Sequence, residues 1–501
     1  MNSIKRHYLF IVLLLIFFLG LYLRNLFLPN NLFFGFEQGR DAFIAKDILT
    51  LKKLTLIGPK TDIEGIFHGA FYYYFLAILY FLARGDPQIV AFFFTLINAL
   101  TIFVVYITAC SLFKDKFYAA IAALLTSVSF NIIVYGRWIS NVSPSIFFVA
   151  IFAYCLLMLL KSTNSKWFIP TLFFAGILSH FELLNLPYAI VLTFFAVLIK
   201  KISIKNAHFL IGIVLFVFAL SPFIIFDLRH SFLLTKGLLN YITSTHNLSL
   251  LPFVSKIKLY FDGLTQEITT TLFPASGGII IAFVFLFILY FWDYFQQKKH
   301  GPLVTEFLLV SMFWTLPYIF LITTYPLQQF YVGTSIFVIL LFCKLLENLE
   351  QTQKFINKKA IILLMLFISL FNVIYIYDSL KTRANLFHNT GQKNLIYKDQ
   401  MATLDYMFLH SKVPFSYDAF TIPYFHKEAW DYLYTWYGNK KYRKVYETNN
   451  QQPSKKLLYL IVEPETSSLW LDKWLTDYDK TTSLVKTEKI GYIILQVRKK
   501  L

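Results

Sequence analysis

The stretch that decides the fold class is QIVAFFFTLINALTIFVVYITACSL, residues 88–112. It contains no charged side chain. A helix of this length measures roughly 38 Å and can cross a bilayer core of about 30 Å. Similar apolar runs recur along the 501-residue chain, which is 57% hydrophobic and has a mean hydropathy of +0.58. The sequence therefore predicts a protein that crosses the membrane many times.

The net charge of +18 would suggest a nucleic-acid partner in a soluble chain. Here most lysines and arginines lie in short clusters between apolar runs. Cytoplasmic loops of membrane proteins are enriched in basic residues in this way. Membrane topology therefore explains much of the imbalance, and no nucleic-acid partner is expected.

Eleven apolar runs are candidate membrane spans. They are residues 7–28, 88–112, 118–134, 144–160, 167–180, 183–199, 207–226, 277–295, 303–324, 327–346 and 360–377. The first has no small-residue cleavage site and is expected to be retained. A further run, 68–83, is ambiguous, but the basic clusters all fall on one side only if it does not cross. We therefore expect 68–83 to pack at the outer surface, with the N-terminus inside and the C-terminus outside.

The predicted fold class is an all-α polytopic membrane protein with about eleven transmembrane helices. Residues 1–378 would form the transmembrane domain, whose first outer loop is 29–87. Residues 379–501 would form a small extracytoplasmic α/β domain, a size typical of one domain.

In this second part, the alternating or apolar runs KLLYLIV and GYIILQV predict strands. The stretches HKEAWDYLYTWYG and SLWLDKWLTDY predict amphipathic helices.

The first outer loop contains GFEQGRDAF, residues 35–43, in which Glu37 and Asp41 are four residues apart. A helix from about Gln38 to Thr50 would bring the two carboxylates one turn apart. Such a helix can lie in the interface plane and direct both acids into a cavity above the spans. An amphipathic surface helix with solvated acids is the alternative interpretation.

Downstream, GPKTDIEGIFHGAFYYY (58–74) contains Glu64 and His68 before an aromatic helix. Glycines in such a loop let the backbone approach a ligand closely, and they also simply make turns. His68 is a candidate contact for a phosphate or an acceptor. A capping or interfacial histidine is the alternative.

Two further outer turns carry cations. In YGRWISNVSPS (135–145), Arg137 is suited to bidentate phosphate binding, or to snorkelling toward lipid headgroups. In SPFIIFDLRHSF (221–232), Arg229 is a second candidate, and an ion pair with Asp227 is the structural alternative.

The sequence contains no P-loop, GxSxG, HExxH or His/Cys metal cluster. Their absence argues against an ATP-driven pump and against the usual zinc and serine hydrolases.

Taken in order, FEQGRDAF, IGPKTDIEGIFHGAFYYY, YGRWISN and PFIIFDLRHSF resemble the integral-membrane glycosyltransferases of the C-type fold. The similarity is to the bacterial, family 39-like branch related to protein O-mannosyltransferases and the lipid A aminoarabinose transferase. It covers most of residues 1–377, and the tail resembles the outer domain that some members carry.

The resemblance implies transfer of a sugar from a polyprenyl-phosphate donor to an acceptor hydroxyl, with inversion, outside the cytoplasmic membrane. A carboxylate in the first outer loop acts as the base, and fixed cations favour the leaving phosphate. Members often have adjacent Asp-Glu, whereas QGR separates the acids here. The base is therefore Asp41 or Glu37, and Asp41 is preferred because the following AFIAKDIL resembles the family.

By the same resemblance, Arg137 is the first candidate for the phosphate contact, and His68 and Arg229 are the next candidates. Asn141 and Glu64 are further candidates for substrate binding. Some relatives use a divalent metal, Mg²⁺ or Mn²⁺, and others do not, and no cluster in this sequence calls for one. The expected partners are the lipid-linked donor, a glycan, lipid or protein acceptor, and membrane lipids.

Three other functions remain open. A non-catalytic scaffold would bind a partner through its outer domain and would function without Glu37 and Asp41. An oligosaccharyltransferase or glycan ligase would move a larger lipid-linked glycan. A lipid or polysaccharide transporter would place ionisable groups near the middle of the bilayer. The spans are nearly free of charge and the acids gather on the outer side, which favours chemistry at the surface.

Overall fold

The computed structural model describes most of the chain. The described residues are 2–61, 63–161, 165–200, 204–243, 251–274, 307, 311, 314–320, 327–352, 357–383, 392–411, 413–443 and 457–501. The expected span 277–295 and most of 303–324 lie outside them.

The described part of the membrane region is helical apart from one short hairpin. Its elements are α1 (Asn2–Asn25), α2 (Leu28–Asn31), α3 (Phe36–Leu49), β1 (Ile57–Lys60), β2 (Phe67–Gly69), α4 (Phe71–Leu82), α5 (Pro87–Leu112), α6 (Lys116–Val128), α7 (Phe130–Gly136) and α8 (Val142–Lys161). They continue with α9 (Phe168–Leu178), α10 (Asn185–Lys200), α11 (Ala207–Arg229), α12 (Leu233–Thr243), α13 (Phe253–Leu272), α14 (Thr334–Thr352) and α15 (Lys358–Thr382).

Several of these helices begin where the sequence supplies a cap. Asp86 accepts a hydrogen bond from the N–H of Gln88 at 3.0 Å, and Pro87 follows at the first helical position of α5. Asp115 caps α6 and Asn206 caps α11 in the same way. Each side-chain oxygen satisfies a backbone donor that the helix itself leaves unpaired.

Within the described residues, α1, α5, α8, α11 and α15 are long and apolar enough to cross a membrane. The expected span 118–134 is the bent pair α6–α7, whose axes differ by 53° at Ser129, a residue with extended backbone. Helices α9 and α10 are shorter apolar helices, separated by the turn expected near 179–187. The prediction of a multi-pass membrane protein is confirmed.

The ambiguous run 68–83 forms β2 and α4. Helix α4 has 12 residues and therefore measures about 18 Å, too short to cross the bilayer core. Its hydroxyl-bearing tyrosines Tyr72, Tyr73 and Tyr80 are buried, so the helix packs inside the protein. The strand before it pairs with β1 in an antiparallel hairpin.

The C-terminal part forms an α/β unit. Its elements are α16 (Tyr397–His410), β3 (Phe415–Phe420), α17 (Glu428–Tyr437), β4 (Leu457–Val462), α18 (Ser468–Asp479), β5 (Thr482–Ile490) and β6 (Ile493–Lys500). The strand order is β3-β4-β6-β5, with β3 parallel to β4 and the other pairs antiparallel. The two expected strands and two expected helices are confirmed as β4, β6, α17 and α18.

The two faces of this sheet follow the two-residue period of a strand. Tyr459 and Ile461 of β4 pack in one hydrophobic cluster with α16 and α17. Leu458 and Leu460 pack on the opposite face against Trp474 of α18.

The C-terminal unit shares a hydrophobic core with the first outer loop. Residues of α3 and α4 belong to the same buried cluster as residues of α16, α17 and the sheet. Two hydrogen bonds add to this packing. The Tyr432 hydroxyl donates to the Gly85 carbonyl at 2.8 Å, and Trp436 Nε1 donates to the Arg84 carbonyl at 3.0 Å. Helix α3 is therefore held on one side by the membrane region and on the other by the C-terminal unit.

Candidate active site

Asp41 is the buried acid of the pair that follows the first membrane span. It lies on the inner face of α3 with a relative exposure of 4%. Its Oδ1 accepts hydrogen bonds from Arg40 Nε at 2.8 Å and from the Tyr73 hydroxyl at 3.2 Å. A buried carboxylate requires such partners, because transfer of an unpaired charge out of water is unfavourable.

Glu37 lies one turn earlier and is exposed. The expected helix is present, yet its two acids have different environments. Their spacing is four residues, but α4 and α17 cover only the part of the helix that carries Asp41 and Gly39.

Arg40 is a cation that the sequence analysis did not single out as functional. Its side chain is 26% exposed, and its guanidinium carbon lies 5.4 Å from the centre of the Phe36 ring. The guanidinium thus links the Asp41 carboxylate to the aromatic side chain at the start of α3. In the sequence, only the position of Arg40 directly before Asp41 could have indicated that the two side chains interact.

The pKa of Asp41 is raised above its ordinary value. Burial is the largest cause, and it outweighs the opposing charge of Arg40 and the hydrogen bond from Tyr73. A raised pKa makes the ionised carboxylate a stronger base than a solvated aspartate.

His68 is buried on β2, close enough to Arg40 to feel its charge. Burial first, and Arg40 second, lower the pKa of His68 to about 4. Its Nδ1 accepts the backbone N–H of Leu183 at 3.3 Å, which leaves the proton of the neutral ring on Nε2. At neutral pH His68 is therefore a neutral hydrogen-bond donor rather than a cation.

Arg137 is buried at the C-terminal end of α7. It donates to the carbonyls of Arg24 and Leu26 at 2.6 and 2.8 Å, and to Asn31 Oδ1 at 2.7 Å. These bonds satisfy carbonyls at the end of α1. Arg137 can bind a phosphate only if it exchanges some of these partners.

The neighbouring turn is tied to α3 and to the turn that follows α9. Asn141 Nδ2 donates to the Phe181 carbonyl at 2.6 Å. Gln38 Nε2 donates to the Ile139 carbonyl at 3.0 Å, so the start of α3 is fixed to the turn that carries Arg137.

Arg229 and Glu64 are exposed and lie apart from this constellation. Asp227 uses Oδ1 to accept the N–H of Leu234 at 2.7 Å and so caps the start of α12. The structure thus brings Asp41, Arg40, Tyr73 and His68 together, while Glu64 lies in the turn between β1 and β2 and Arg229 ends α11.

A second buried acid, Glu267 of α13, lies behind α7. It accepts hydrogen bonds from Asn131, Ser335 and Gln328 at 2.7, 2.7 and 2.8 Å. Burial raises its pKa to about 7 despite these donors. The network joins α13 to α7, whose far end carries Arg137.

An apolar groove of about 400 Å³ lies on the other side of α4 from Asp41. Its lining includes Phe71, Tyr74, Phe173, His180 and Phe218. Phe218 belongs to the spanning helix α11 and is largely exposed, so the groove opens toward lipid. Tyr73, which contacts Asp41, directly precedes Tyr74, which lines the groove.

No group of three or more His, Cys, Asp or Glu side chains that could hold a metal ion occurs in the part of the chain that the structure describes. The donor set at Asp41 is a single carboxylate paired with a guanidinium, which does not fit Mg²⁺ or Mn²⁺. No catalytic step is therefore assigned to a metal.

Comparison with solved structures identifies the architecture. ArnT from Cupriavidus metallidurans in the apo state superposes with a TM-score of 0.56 at 12% identity, over 99% of this chain and 98% of that one. The same protein bound to undecaprenyl phosphate gives 0.57 at 11% identity, with the same coverage. The chain has the C-type glycosyltransferase fold.

A family model matches part of this chain. Residues 68–226 match the family described as dolichyl-phosphate-mannose-protein mannosyltransferase. No curated protein sequence matches. The resemblance inferred from the sequence is therefore confirmed at the level of the fold, and the matched segment carries His68, Arg137 and Asn141.

Proposed function

We propose that this chain transfers a sugar from a polyprenyl-phosphate donor to an acceptor hydroxyl on the outer face of the cytoplasmic membrane. Asp41 is the general base. The observation that carries the proposal is the buried Asp41 carboxylate on a surface helix, one helix away from an apolar groove that opens toward lipid.

The chemistry requires a base near the acceptor and a cation near the leaving group. The acceptor oxygen forms a bond to the anomeric carbon while the bond from that carbon to the phosphate oxygen breaks. Asp41 takes the hydroxyl proton, and the lipid phosphate leaves from the opposite face, which inverts the anomeric centre. Charge on the departing phosphate is stabilised by a preorganised cation.

Arg40 is suited to this second role because it is already bonded to Asp41 and partly exposed. When the phosphate of the donor binds, it competes with Asp41 for the guanidinium. This exchange frees the carboxylate lone pairs to accept the proton from the acceptor. Arg137 and His68 remain candidates for further donor contacts, and Asn141, Glu64 and Arg229 for the wider binding surface.

The groove supports a lipid-linked donor. Its lining is almost entirely aromatic and aliphatic, a surface that favours a polyprenyl chain over a soluble nucleotide-sugar. The ArnT structure of the same fold was solved with undecaprenyl phosphate bound.

The proposal is tested by supplying the purified full chain with polyprenyl-phosphate sugars and candidate acceptors. Transfer of one sugar with inverted anomeric configuration is the expected result. Transfer of a whole oligosaccharide would favour the glycan-ligase alternative, and lipid movement without any transfer would favour a transporter.

Replacing Arg40 with glutamine is expected to shift the acidic limb of kcat/KM to higher pH. Burial raises the pKa of Asp41 and Arg40 lowers it, so loss of the cation leaves a higher pKa. The base must be ionised, and activity is lost as pH falls through that pKa. The pH dependence of kcat/KM measures the change.

Lys46→Gln is the matched control, because Lys46 is an exposed cation on the same helix. Its acidic limb should coincide with that of the unmodified chain. An Arg40→Gln limb that stays in place or moves to lower pH would contradict the assignment of Asp41 as the base.

Replacing Phe173 with glutamine is expected to raise the KM for a long-chain polyprenyl donor by roughly tenfold, because the groove loses apolar contact with the lipid. The KM for a donor with a short chain should change little. Phe194→Gln, at an exposed phenylalanine of α10 away from the groove, is the control. Equal effects on long and short donors would argue against a lipid-binding groove.

A further inference from the structure

A row of aromatic side chains lies on the outer surface of the C-terminal unit. Trp470 of α18 is 51% exposed and Phe425 is 70% exposed. Tyr424 precedes Phe425 in the chain, and its ring centre lies 6.5 Å from that of Trp470. Phe425 also has a positive φ of 67°, a backbone state that a bulky residue rarely adopts and that often marks a functional segment.

The row continues to the proposed base. His426, next to Phe425, lies with its ring centre 4.5 Å from that of Phe36. Phe36 in turn contacts the Arg40 guanidinium, which is bonded to Asp41. The segment that carries Phe425 and His426 therefore contacts the start of α3, the helix that carries the carboxylate.

Glu428 supplies a polar group beside this row. It begins α17, and its backbone packs directly against Gly39 of α3. One oxygen, Oε1, lies 3.4 Å from His426 Nδ1. Oε2 is buried, but the Glu428 side chain as a whole is 36% exposed, so its carboxylate can accept a hydrogen bond at this surface through Oε1.

We propose that Phe36, Tyr424, Phe425, His426 and Trp470, with Glu428, form a platform for the carbohydrate part of the acceptor. The proposal rests on the function proposed above and names the acceptor class as a glycan. The C–H face of a sugar ring is apolar and weakly positive, so it stacks on the negative face of an aromatic ring. The exposed part of the Glu428 carboxylate accepts a hydrogen bond from a sugar hydroxyl, and the bound glycan presents its terminal hydroxyl toward Asp41.

The combination of features favours a sugar over a lipid surface. An outer-leaflet contact requires apolar area of any shape, whereas a sugar requires flat rings next to hydrogen-bond acceptors. Leu469, beside Trp470, is 75% exposed and aliphatic. Its replacement therefore distinguishes sugar binding from contact with a lipid surface. It can be buried in a membrane as well as Trp470 can, but it offers no ring for stacking.

The test compares Trp470→Ala, Phe425→Ala and the control Leu469→Ala in the full chain reconstituted in lipid nanodiscs. Binding of maltopentaose, cellopentaose, chitopentaose and mannopentaose is measured by saturation-transfer NMR. At least one oligosaccharide should bind, and each aromatic variant should weaken it by about tenfold. Leu469→Ala should bind normally, and Trp470→Phe should restore most of the affinity.

Asp41→Asn separates this proposal from the proposed function. It should abolish transfer but keep oligosaccharide binding, since it removes the base and not the platform. In transfer assays the aromatic variants should raise the KM for the acceptor and leave kcat unchanged. Binding by none of the probes, equal effects of Leu469→Ala and Trp470→Ala, or loss of kcat alone would each overturn the platform. Full transfer by Asp41→Asn would overturn the base instead.

Discussion

Replacing Asp41 with asparagine is expected to lower the rate of sugar transfer by about 10²- to 10⁴-fold, the usual contribution of a general base. Asparagine preserves the size of the side chain but cannot take the acceptor proton. It also leaves the Arg40 guanidinium without its carboxylate partner. Single-turnover rates with a saturating donor measure the chemical step directly.

Glu37→Gln provides the decisive comparison, because Glu37 is the other acid of the same loop. Glu37 is exposed, so its loss should change the rate only a few-fold at most. Asp47→Asn, on the same helix, controls for a general effect of removing an acid. Normal transfer by Asp41→Asn together with a strong loss in Glu37→Gln would reverse the assignment.

Replacing Gly39 with alanine is expected to separate α3 from the C-terminal unit. A Cβ atom at this position would lie 2.3 Å from the backbone nitrogen of Ala429 and 2.4 Å from its Cα. Backbone atoms of α17 cannot rotate away as a side chain can. Overpacking of this kind costs about 1–3 kcal/mol or more, which outweighs the higher helix propensity of alanine, roughly 1 kcal/mol.

The expected measurements are faster proteolysis within the C-terminal unit, a lower thermal transition in detergent, and a large loss of transfer, because α17 supports the helix that carries Asp41. Lys46→Ala, at an exposed position of the same helix, should leave all three properties unchanged. A Gly39→Ala protein that is as stable and protease-resistant as the unmodified chain would show that α17 does not depend on this close contact.

The membrane region could be predicted because each spanning helix satisfies its own backbone hydrogen bonds and faces lipid. Length and apolar composition are then sufficient signals, as for residues 88–112 and α5. The 53° bend between α6 and α7 at Ser129 was not predicted, because residues 118–134 contain no proline or glycine that would indicate it. The edge strands β3 and β5 were also missed, because their sequences mix polar and apolar residues without a strong pattern.

The candidate site was predicted less completely. The Glu37–Asp41 spacing correctly indicated a helix, and charge distribution indicated a helix at the surface rather than a span for 68–83. The partners of Asp41 could not be inferred, because Tyr73 is 32 residues away along the chain. Arg137 was expected to contact a phosphate, but its described bonds are to the end of α1. Such contacts depend on how helices cross, which local spacing does not encode.

The amino-acid sequence alone predicts that the chain crosses a membrane many times and that Glu37 and Asp41 follow the first span. Hydrophobic length and charge distribution are local properties that the bilayer acts on directly. Only the tertiary structure decided which acid is buried. Helix α4 supplies Tyr73 and α17 approaches at Gly39, so Asp41 is removed from water while Glu37, one turn earlier, remains exposed. This packing buries Asp41, and burial raises its pKa. The sequence spacing of Glu37 and Asp41 does not contain that information.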